Sequence, residues 1–192
     1  MKEFKITIKA SGAHAHLSDA DVEALFGEGE VLNNVRFLGD GRSGQYLSDK
    51  KVKIVTEKGS RMLSVLGPTR KETQVELSYT EARSLGLRPP VSDSGVLEGT
   101  LGCTLVGPVG EITKDRGVMV ARRHIHLNEG QAEEAGFADG DYIKVRIEGE
   151  RALIFDNVLV RYGKGGTVMH IDFDEMNAAG LQGDAVGYAF KD

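Results

Sequence analysis

One short segment recurs four times along this 192-residue chain, and it constrains the fold more than any other sequence feature. Each copy has a histidine or a glutamate two residues before a small polar residue, which opens a run of helical character. The four small polar residues are Ser18, Ser78, Asn128 and Asp172. Residues of these types cap helix N-termini, particularly when an acid or an amide follows three residues later, as it does in every copy. The repeat therefore predicts four short helices, each entered directly from a strand.

Glycines and alternating runs complete this prediction. The helices are expected at residues 19–26, 79–85, 129–135 and 174–179, and a glycine follows each of them: Gly27, Gly86, Gly136 and Gly180. Glycine just past a helix end adopts the left-handed conformation at little cost.

Between these units the chain is rich in short runs that alternate apolar and polar residues, which is typical of strands. The expected fold class is mainly β with short helices, built from barrels rather than from a doubly wound sheet.

The repeats also suggest how the chain is divided. Residues 1–95 and 96–192 each hold one copy with a His-x-His pair and one copy with a single potential ligand. We therefore expect two β-barrel domains related by an internal repeat. The segments "GFADGDYIKVRI" and "GLQGDAVGYA" resemble the Gly-Asp box of double-psi and related cradle-loop barrels, a likeness that concerns fold and not chemistry.

The five histidines of the chain all fall at corresponding places in the repeats. Residues i and i+2 of a strand point to the same face, so each His-x-His pair projects two imidazoles together. Imidazole pairs of this kind commonly hold zinc or another transition metal. The candidate ligands are His14, His16, Glu76, His124, His126 and His170. Six ligands would make two sites of three ligands each, and each site would keep an open position, as catalytic zinc sites do. The alternative is that these histidines are ordinary buried polar residues, or surface residues placed by chance.

Composition excludes several other classes of protein. The net charge is −5 and no cluster of Lys and Arg offers a phosphate-binding stripe, so we expect no nucleic-acid partner. No apolar run is long enough to cross a bilayer, and the N-terminus has no signal-peptide pattern, so we expect a cytoplasmic protein without a membrane partner. The lone Cys103 excludes an intrachain disulfide, and its apolar surroundings favour a core position over a nucleophile.

Five longer segments resemble a known family. In order they are "HAHLSDADVEALFG", "LGPTRKETQVELS", "PPVSDSGVLEGTLGCTLVGP", "ARRHIHLNEGQAEEAGFADGD" and "MHIDFDEMNAAGL". They resemble the motifs of the PduL-type phosphate acyltransferases, the phosphate propanoyltransferase family, over essentially the whole chain. The resemblance implies that the protein interconverts a short-chain acyl-CoA plus phosphate with an acyl phosphate plus CoA. It also implies two β-barrels with an exchanged strand, and two divalent metal ions, usually zinc.

The resemblance implies how the six ligands are shared as well. In the pairing that it suggests, one metal binds Glu76, His124 and His126 and carries the CoA sulfur. The other metal binds His14, His16 and His170. A direct transfer of the acyl group between CoA and phosphate, with no acyl-enzyme, is the simplest mechanism for such a centre.

The resemblance extends to three polar residues, and a fourth candidate, Arg123, stands next to His124 in the sequence. Arg70 matches the phosphate-binding arginine of the family, and a guanidinium can grip phosphate with two parallel hydrogen bonds. Without the resemblance, the position of Arg70 in the sequence would equally suit an arginine in a solvent-exposed loop. Gln45 and Ser94 match polar positions near the active site, with a turn role as the alternative. Arg123 either contacts the anionic substrate or caps a strand edge.

Two departures from the family bear on function. Ala13 replaces an arginine that commonly precedes the first His-x-His, which puts one anion contact in doubt. Many relatives begin with a helix that targets a bacterial microcompartment, whereas this chain starts near the first strand, so we expect no such targeting. Acyl-chain preference and oligomeric state stay open, a homodimer being one outcome. The competing functions are a metal-dependent hydrolase or lyase on a tandem barrel and a non-catalytic metal-binding barrel.

Overall fold

The computed structural model describes residues 3–39, 41–163 and 166–191, and strands dominate it. The strands are β1 (Phe4–Ser11), β2 (His14–His16), β3 (Asn34–Phe37), β4 (Tyr46–Thr56), β5 (Gly59–Gly67), β6 (Gln74–Glu76), β7 (Val91–Ser92), β8 (Leu101–Val106), β9 (Glu111–Ala121), β10 (His124–Leu127), β11 (Tyr142–Ile147), β12 (Leu153–Tyr162), β13 (Val168–Asp172) and β14 (Ala185–Phe190). The helices are α1 (Asp19–Phe26), α2 (Tyr79–Ser84), α3 (Glu129–Ala135) and α4 (Phe173–Ala178). The mainly β fold class with short helices is confirmed.

The strands form two closed six-stranded barrels. In one, hydrogen bonding runs in the order β1-β13-β10-β12-β11-β14 and returns to β1. In the other the order is β4-β5-β2-β6-β9-β8, and β8 closes the ring on β4. Strands β3 and β7 add to the outside of this second barrel, on β4 and β9 respectively. Closure removes the exposed edges that an open sheet of this length would have.

The predicted strand exchange is confirmed and is reciprocal. Strand β1 runs into β2 along the chain, yet β1 belongs to the barrel that contains β10. Strand β9 runs into β10, yet β9 pairs with β6 in the barrel that contains β2. Each His-x-His strand thus follows a strand that belongs to the other barrel.

Contacts divide the chain into two compact units that match these barrels. Unit 1 comprises Met1–Ser11, Gly39–Ser43 and Arg122–Asp192, and unit 2 comprises Gly12–Leu38 and Gly44–Ala121. The exchange makes both units discontinuous in sequence. The division into residues 1–95 and 96–192 follows the sequence repeat, not the contacts, and stays a prediction.

All four predicted helix starts have the expected caps. The side chains of Ser18, Ser78, Asn128 and Asp172 each accept a hydrogen bond from the backbone N–H three residues later. In α2, α3 and α4 the third residue bonds back to the cap and completes a capping box. Each helix begins as its strand ends, so the caps fix the point at which the chain turns away from the barrel wall.

Each unit has its own apolar core. In unit 1 the core includes Ile125 and Met169, and in unit 2 it includes Ala15 and Val75, all at most 1% exposed. These residues alternate along their strands with the candidate ligands, so the ligands lie on the opposite face of the barrel wall. Among the described residues, no helix has the length and apolar character needed to span a membrane.

Candidate metal centre

Three candidate ligands converge in unit 2. The β2 and β6 strands are antiparallel, with His14 opposite Glu76 and His16 opposite Gln74. His14 Nε2 lies 3.3 Å from Glu76 Oε2, and His16 Nε2 lies 3.9 Å from Glu76 Oε1. One ligand atom from each of His14, His16 and Glu76 lies within 4.8 Å of the other two. Glu76 therefore lies beside the first His-x-His pair, and its role as a third metal ligand stays a prediction.

The three ionisable side chains of this group shift one another's pKa values. Burial opposes ionisation of all three side chains. For His14, the adjacent Glu76 carboxylate outweighs burial and raises the imidazole pKa. For His16, burial and the nearby positive charges of His14 and Arg70 hold the pKa well below its ordinary value. Burial alone would raise the pKa of Glu76. The two imidazoles and Ser94 outweigh this effect and hold the pKa far below the usual carboxyl range. A carboxylate and a neutral imidazole are the forms that bind a metal, so Glu76 and His16 are held in those forms, whereas His14 would have to exchange its Nε2 proton for the ion.

The hydrogen bonding of the two histidines fits ligation as well. His14 Nδ1 is 2.8 Å from the Gly12 carbonyl oxygen, and because a carbonyl oxygen only accepts, Nδ1 carries a proton; Nε2, which faces Glu76 Oε2, is the nitrogen that a metal ion would take in place of a proton. A ligating histidine usually donates its second ring N–H in this way. His16 Nδ1 is buried and has no hydrogen-bond partner among the described residues. The donor set itself, two imidazoles that face one carboxylate through their Nε2 atoms, fits a transition-metal ion such as zinc.

A chain of hydrogen bonds joins this group to Arg70. Arg70 Nη1 donates to Ser94 Oγ at 2.9 Å, and Ser94 Oγ donates to Glu76 Oε1 at 2.9 Å. Gln74 Nε2 donates to both, at 2.8 Å to Ser94 Oγ and 2.5 Å to Glu76 Oε1. The Arg70 backbone N–H is held by the Leu17 carbonyl oxygen at 2.8 Å. The guanidinium is thereby fixed beside the three ligands, with a planar charge suited to an anion.

Sequence analysis singled out Ser94 and Arg70 but missed Gln74. Gln74 is two residues before Glu76 and shares its face of β6, so the strand period could have indicated it. No charge or motif marked it as distinct from an ordinary polar strand residue. Gln45, by contrast, lies just before β4, where its carbonyl oxygen accepts a hydrogen bond from Leu38 N–H at 2.9 Å. Its role near the active site stays a prediction.

The other three histidines come together in unit 1. The β10 and β13 strands are antiparallel, with His124 opposite His170. The ring centroid of His124 is 4.8 Å from that of His126 and 5.3 Å from that of His170, and His126 and His170 are 5.4 Å apart. His124 Nδ1 is 2.8 Å from the Arg122 carbonyl oxygen, repeating the arrangement at His14. Burial, with the charges of His124 and Arg161, lowers the pKa of His126 to about 4.

This grouping differs from the pairing that the family resemblance implied. That pairing joined Glu76 to His124 and His126, and His170 to the first His-x-His pair. The structure instead brings Glu76 to His14 and His16, because β2 pairs with β6. It brings His170 to His124 and His126, because β10 pairs with β13. Each group of three candidate ligands therefore lies within a single barrel, one group in each barrel.

Arg123 has its own partners in unit 1. Its Nη1 donates to Glu175 Oε1 at 2.8 Å, and its guanidinium lies 5.4 Å from the centre of the Phe155 ring. Glu175 Oε2 also accepts from the Asp172 backbone N–H at 3.2 Å as part of the α4 capping box. Burial and the nearby Asp172 carboxylate raise the pKa of Glu175, and Arg123 opposes this. These contacts tie Arg123 to the start of α4, and neither substrate contact nor capping of a strand edge is tested by them, so both stay predictions.

Comparisons with known proteins identify relatives over nearly the whole chain. The family model described as phosphate propanoyltransferase matches residues 7–182. A phosphate propanoyltransferase of Thermotoga maritima is 49% identical over 189 residues, which cover 96% of this chain and 89% of that protein. One from Clostridioides difficile is 43% identical over 192 residues, covering 99% and 91%. One from Alkaliphilus metalliredigens is 41% identical over 189 residues, covering 97% and 88%. With the family model and these relatives matching nearly its whole length, the chain belongs to the phosphate propanoyltransferase family.

Proposed function

We propose that the protein is a metal-dependent phosphate acyltransferase that interconverts a short-chain acyl-CoA and phosphate with an acyl phosphate and CoA by direct transfer. Family membership supports the reaction class. The observation that carries the metal-dependent mechanism is the group of His14, His16 and Glu76, joined through Ser94 to Arg70. Substrates of this reaction are a thioester, whose leaving group is a thiolate, and a phosphate anion.

In this proposal the ligands of each barrel hold one divalent ion, most simply zinc. His14, His16 and Glu76 hold the first, and His124, His126 and His170 hold the second. A bound divalent ion neutralises charge on a thiolate or a phosphate oxygen, which makes the thiolate a better leaving group. In the first group, Glu76 supplies one negative charge among two neutral imidazoles, so a divalent ion there keeps a net positive charge with which to attract an anion.

The chain's own residues orient the phosphate. The Arg70 guanidinium is permanently charged; the Leu17 carbonyl oxygen accepts from the Arg70 backbone N–H, and Ser94 Oγ accepts from the guanidinium itself. We propose that it holds the phosphate with its oxygen directed at the thioester carbonyl carbon. The attack forms a C–O bond as the C–S bond breaks, and the electron pair leaves on sulfur. Orientation and neutralisation of two anions that repel each other in water supply much of the rate.

No protein nucleophile is required for this transfer. Cys103 lies on β8 and is half-buried, and burial raises the pKa of its thiol to about 12 although Lys114 opposes the shift. A thiol with this pKa is protonated near neutral pH and is a poor nucleophile. This supports direct transfer between the two substrates over a ping-pong route through cysteine.

The decisive experiment is a thiol assay of CoA release from acetyl-CoA and propanoyl-CoA, with and without phosphate, coupled to metal analysis of the purified protein. We expect release that requires phosphate, yields acyl phosphate and is abolished by chelation and restored by zinc. Release without phosphate would indicate hydrolysis instead. Bound metal without any thioester chemistry would indicate a non-catalytic metal-binding barrel.

A further inference from the structure

Gln74 occupies an unusual position for a strand glutamine, because every polar atom of its amide is bonded inside the candidate metal centre. The side chain is buried, with 1% of its surface exposed. Its Nε2 donates to Glu76 Oε1 and to Ser94 Oγ, and its Oε1 accepts from the Gly95 backbone N–H at 2.9 Å. The two donors and the acceptor of the amide are therefore all directed at Glu76 or at the Ser94–Gly95 segment.

These bonds distinguish the two oxygens of Glu76. Oε1 accepts from both Gln74 and Ser94, so two donors already occupy its lone pairs. Oε2 is the oxygen that lies 3.3 Å from His14 Nε2, whereas Oε1 is 3.9 Å from His16 Nε2. A metal ion that takes its ligands from His14 and Glu76 therefore meets Oε2 with its lone pairs available, whereas Oε1 is held by neighbouring donors.

Ser94 is fully committed in the same network. Its hydroxyl accepts from Arg70 and from Gln74 and donates to Glu76, which uses both lone pairs and the proton. Gln74 thus holds the Ser94–Gly95 segment against the Glu76 carboxylate from two sides, and this segment in turn holds Arg70. A substrate atom could bond to Ser94 only if one of these contacts were given up.

We propose that Gln74 is a positioning residue of the metal centre: it holds the Glu76 carboxylate so that Oε2 is the single oxygen offered to the metal, and it links the metal ligands to Arg70 through Ser94. This inference rests on the metal site of the proposed function. Hydrogen-bond partners of metal ligands commonly change metal affinity by about 10- to 100-fold when they are removed.

The test is a cobalt titration of Gln74→Met in a His126→Ala background, so that only the His14–His16–Glu76 site remains to be measured. Methionine keeps the volume and removes all three hydrogen bonds. We expect the Co²⁺ affinity to fall by about 10- to 100-fold relative to the background, and the absorption bands of the saturated ion to shift as Glu76 changes its binding mode. Gln131→Met, which removes a capping amide in unit 1, is the matched control and should leave both unchanged.

Gln74→Asn serves as the second variant if methionine prevents folding, because asparagine keeps the amide but is one methylene too short to keep both contacts. Equal cobalt affinity and an identical spectrum in the background and in either folded Gln74 variant would overturn the positioning role. Failure of the His126→Ala background itself to bind cobalt would overturn the metal site of the proposed function, and the positioning role with it. The two failures are therefore distinguishable.

Discussion

Glu76 lies opposite His14 across the β2–β6 ladder, and Glu76 Oε2 is 3.3 Å from His14 Nε2. This contact joins the third ligand to a pair of histidines that lies about sixty residues earlier in the chain. Both side chains are nearly buried, so each depends on the other, or on a bound cation, for compensation of its charge. The predictions below test the consequences of this arrangement.

Replacing Glu76 should remove the metal and the reaction together. Glu76→Gln keeps the shape but removes the negative charge and the anionic ligand, so we expect zinc content to fall to about half of the wild-type value if unit 1 keeps its ion. Phosphate-dependent CoA release should fall by at least about 100-fold. Glu72→Gln is the control, because Glu72 is exposed and bonds Arg116 away from the three ligands. Full activity of Glu76→Gln with normal metal content would contradict the proposed site.

Replacing Arg70 should separate phosphate binding from metal binding. Arg70→Lys keeps the charge but loses the planar pair of donors and the bond to Ser94. Hydrogen bonds to charged groups contribute about 1.5–3 kcal/mol, so the KM for phosphate should rise by roughly 10- to 150-fold. Metal content should not change. Steady-state kinetics at varied phosphate measure this, with Arg116→Lys as the matched surface control; a normal KM in Arg70→Lys would remove Arg70 from the phosphate site.

Replacing the only cysteine should have little effect on rate. The Cys103 thiol has a pKa raised to about 12 by burial, and it faces Lys114 on the neighbouring strand rather than a histidine. Cys103→Ala should retain kcat within about twofold and lose about 1 kcal/mol of stability from the smaller side chain. A loss of activity without unfolding would support an acyl-enzyme. Exchange of labelled phosphate into acyl phosphate in the absence of CoA would support the same conclusion.

Replacing Arg123 should affect stability more than substrate binding. The change Arg123→Met leaves Glu175, a largely buried carboxylate, without its ion-pair partner. We expect unfolding free energy to fall by about 1–3 kcal/mol, measured by denaturant titration. The KM values for acyl-CoA and phosphate should stay the same. A rise in either KM with unchanged stability would instead place Arg123 in substrate recognition.

Asp21 should make the stability of unit 2 depend on pH. Burial would raise the Asp21 pKa, but Lys114 at 2.8 Å, together with hydrogen bonds from Thr73 and Ser18, lowers it below the ordinary value of 3.8. A lowered carboxyl pKa stabilises the folded state above the unfolded-state pKa, and this contribution is lost as pH falls through the folded-state pKa. The free energy of unfolding of the wild-type protein should therefore exceed that of Asp21→Asn by about 1–3 kcal/mol at neutral pH. This difference should shrink below pH 3.8. A difference that stays constant with pH would show that the carboxylate charge contributes nothing.

Local features of the fold could be predicted from the sequence because their causes are local. The caps at Ser18, Ser78, Asn128 and Asp172 depend on residues three apart, and the shared face of each His-x-His pair depends on the strand period. Long ordered motifs likewise indicated the family and the two barrels. Hydrogen bonds and side-chain alternation within a few residues determine these features, whatever the rest of the chain does.

Only the tertiary structure decided which distant residues meet. Strand β9 could have closed either barrel on alternation alone, and the ligand grouping follows from β2 pairing with β6 and β10 with β13. Gln74 became recognisable only once the Ser94–Gly95 segment was seen to lie against it. Pairing between strands far apart in sequence depends on the packing of a whole core, which no single segment specifies. The sequence by itself thus determined the ligand types and their local frames, while the closure of each barrel decided their partners.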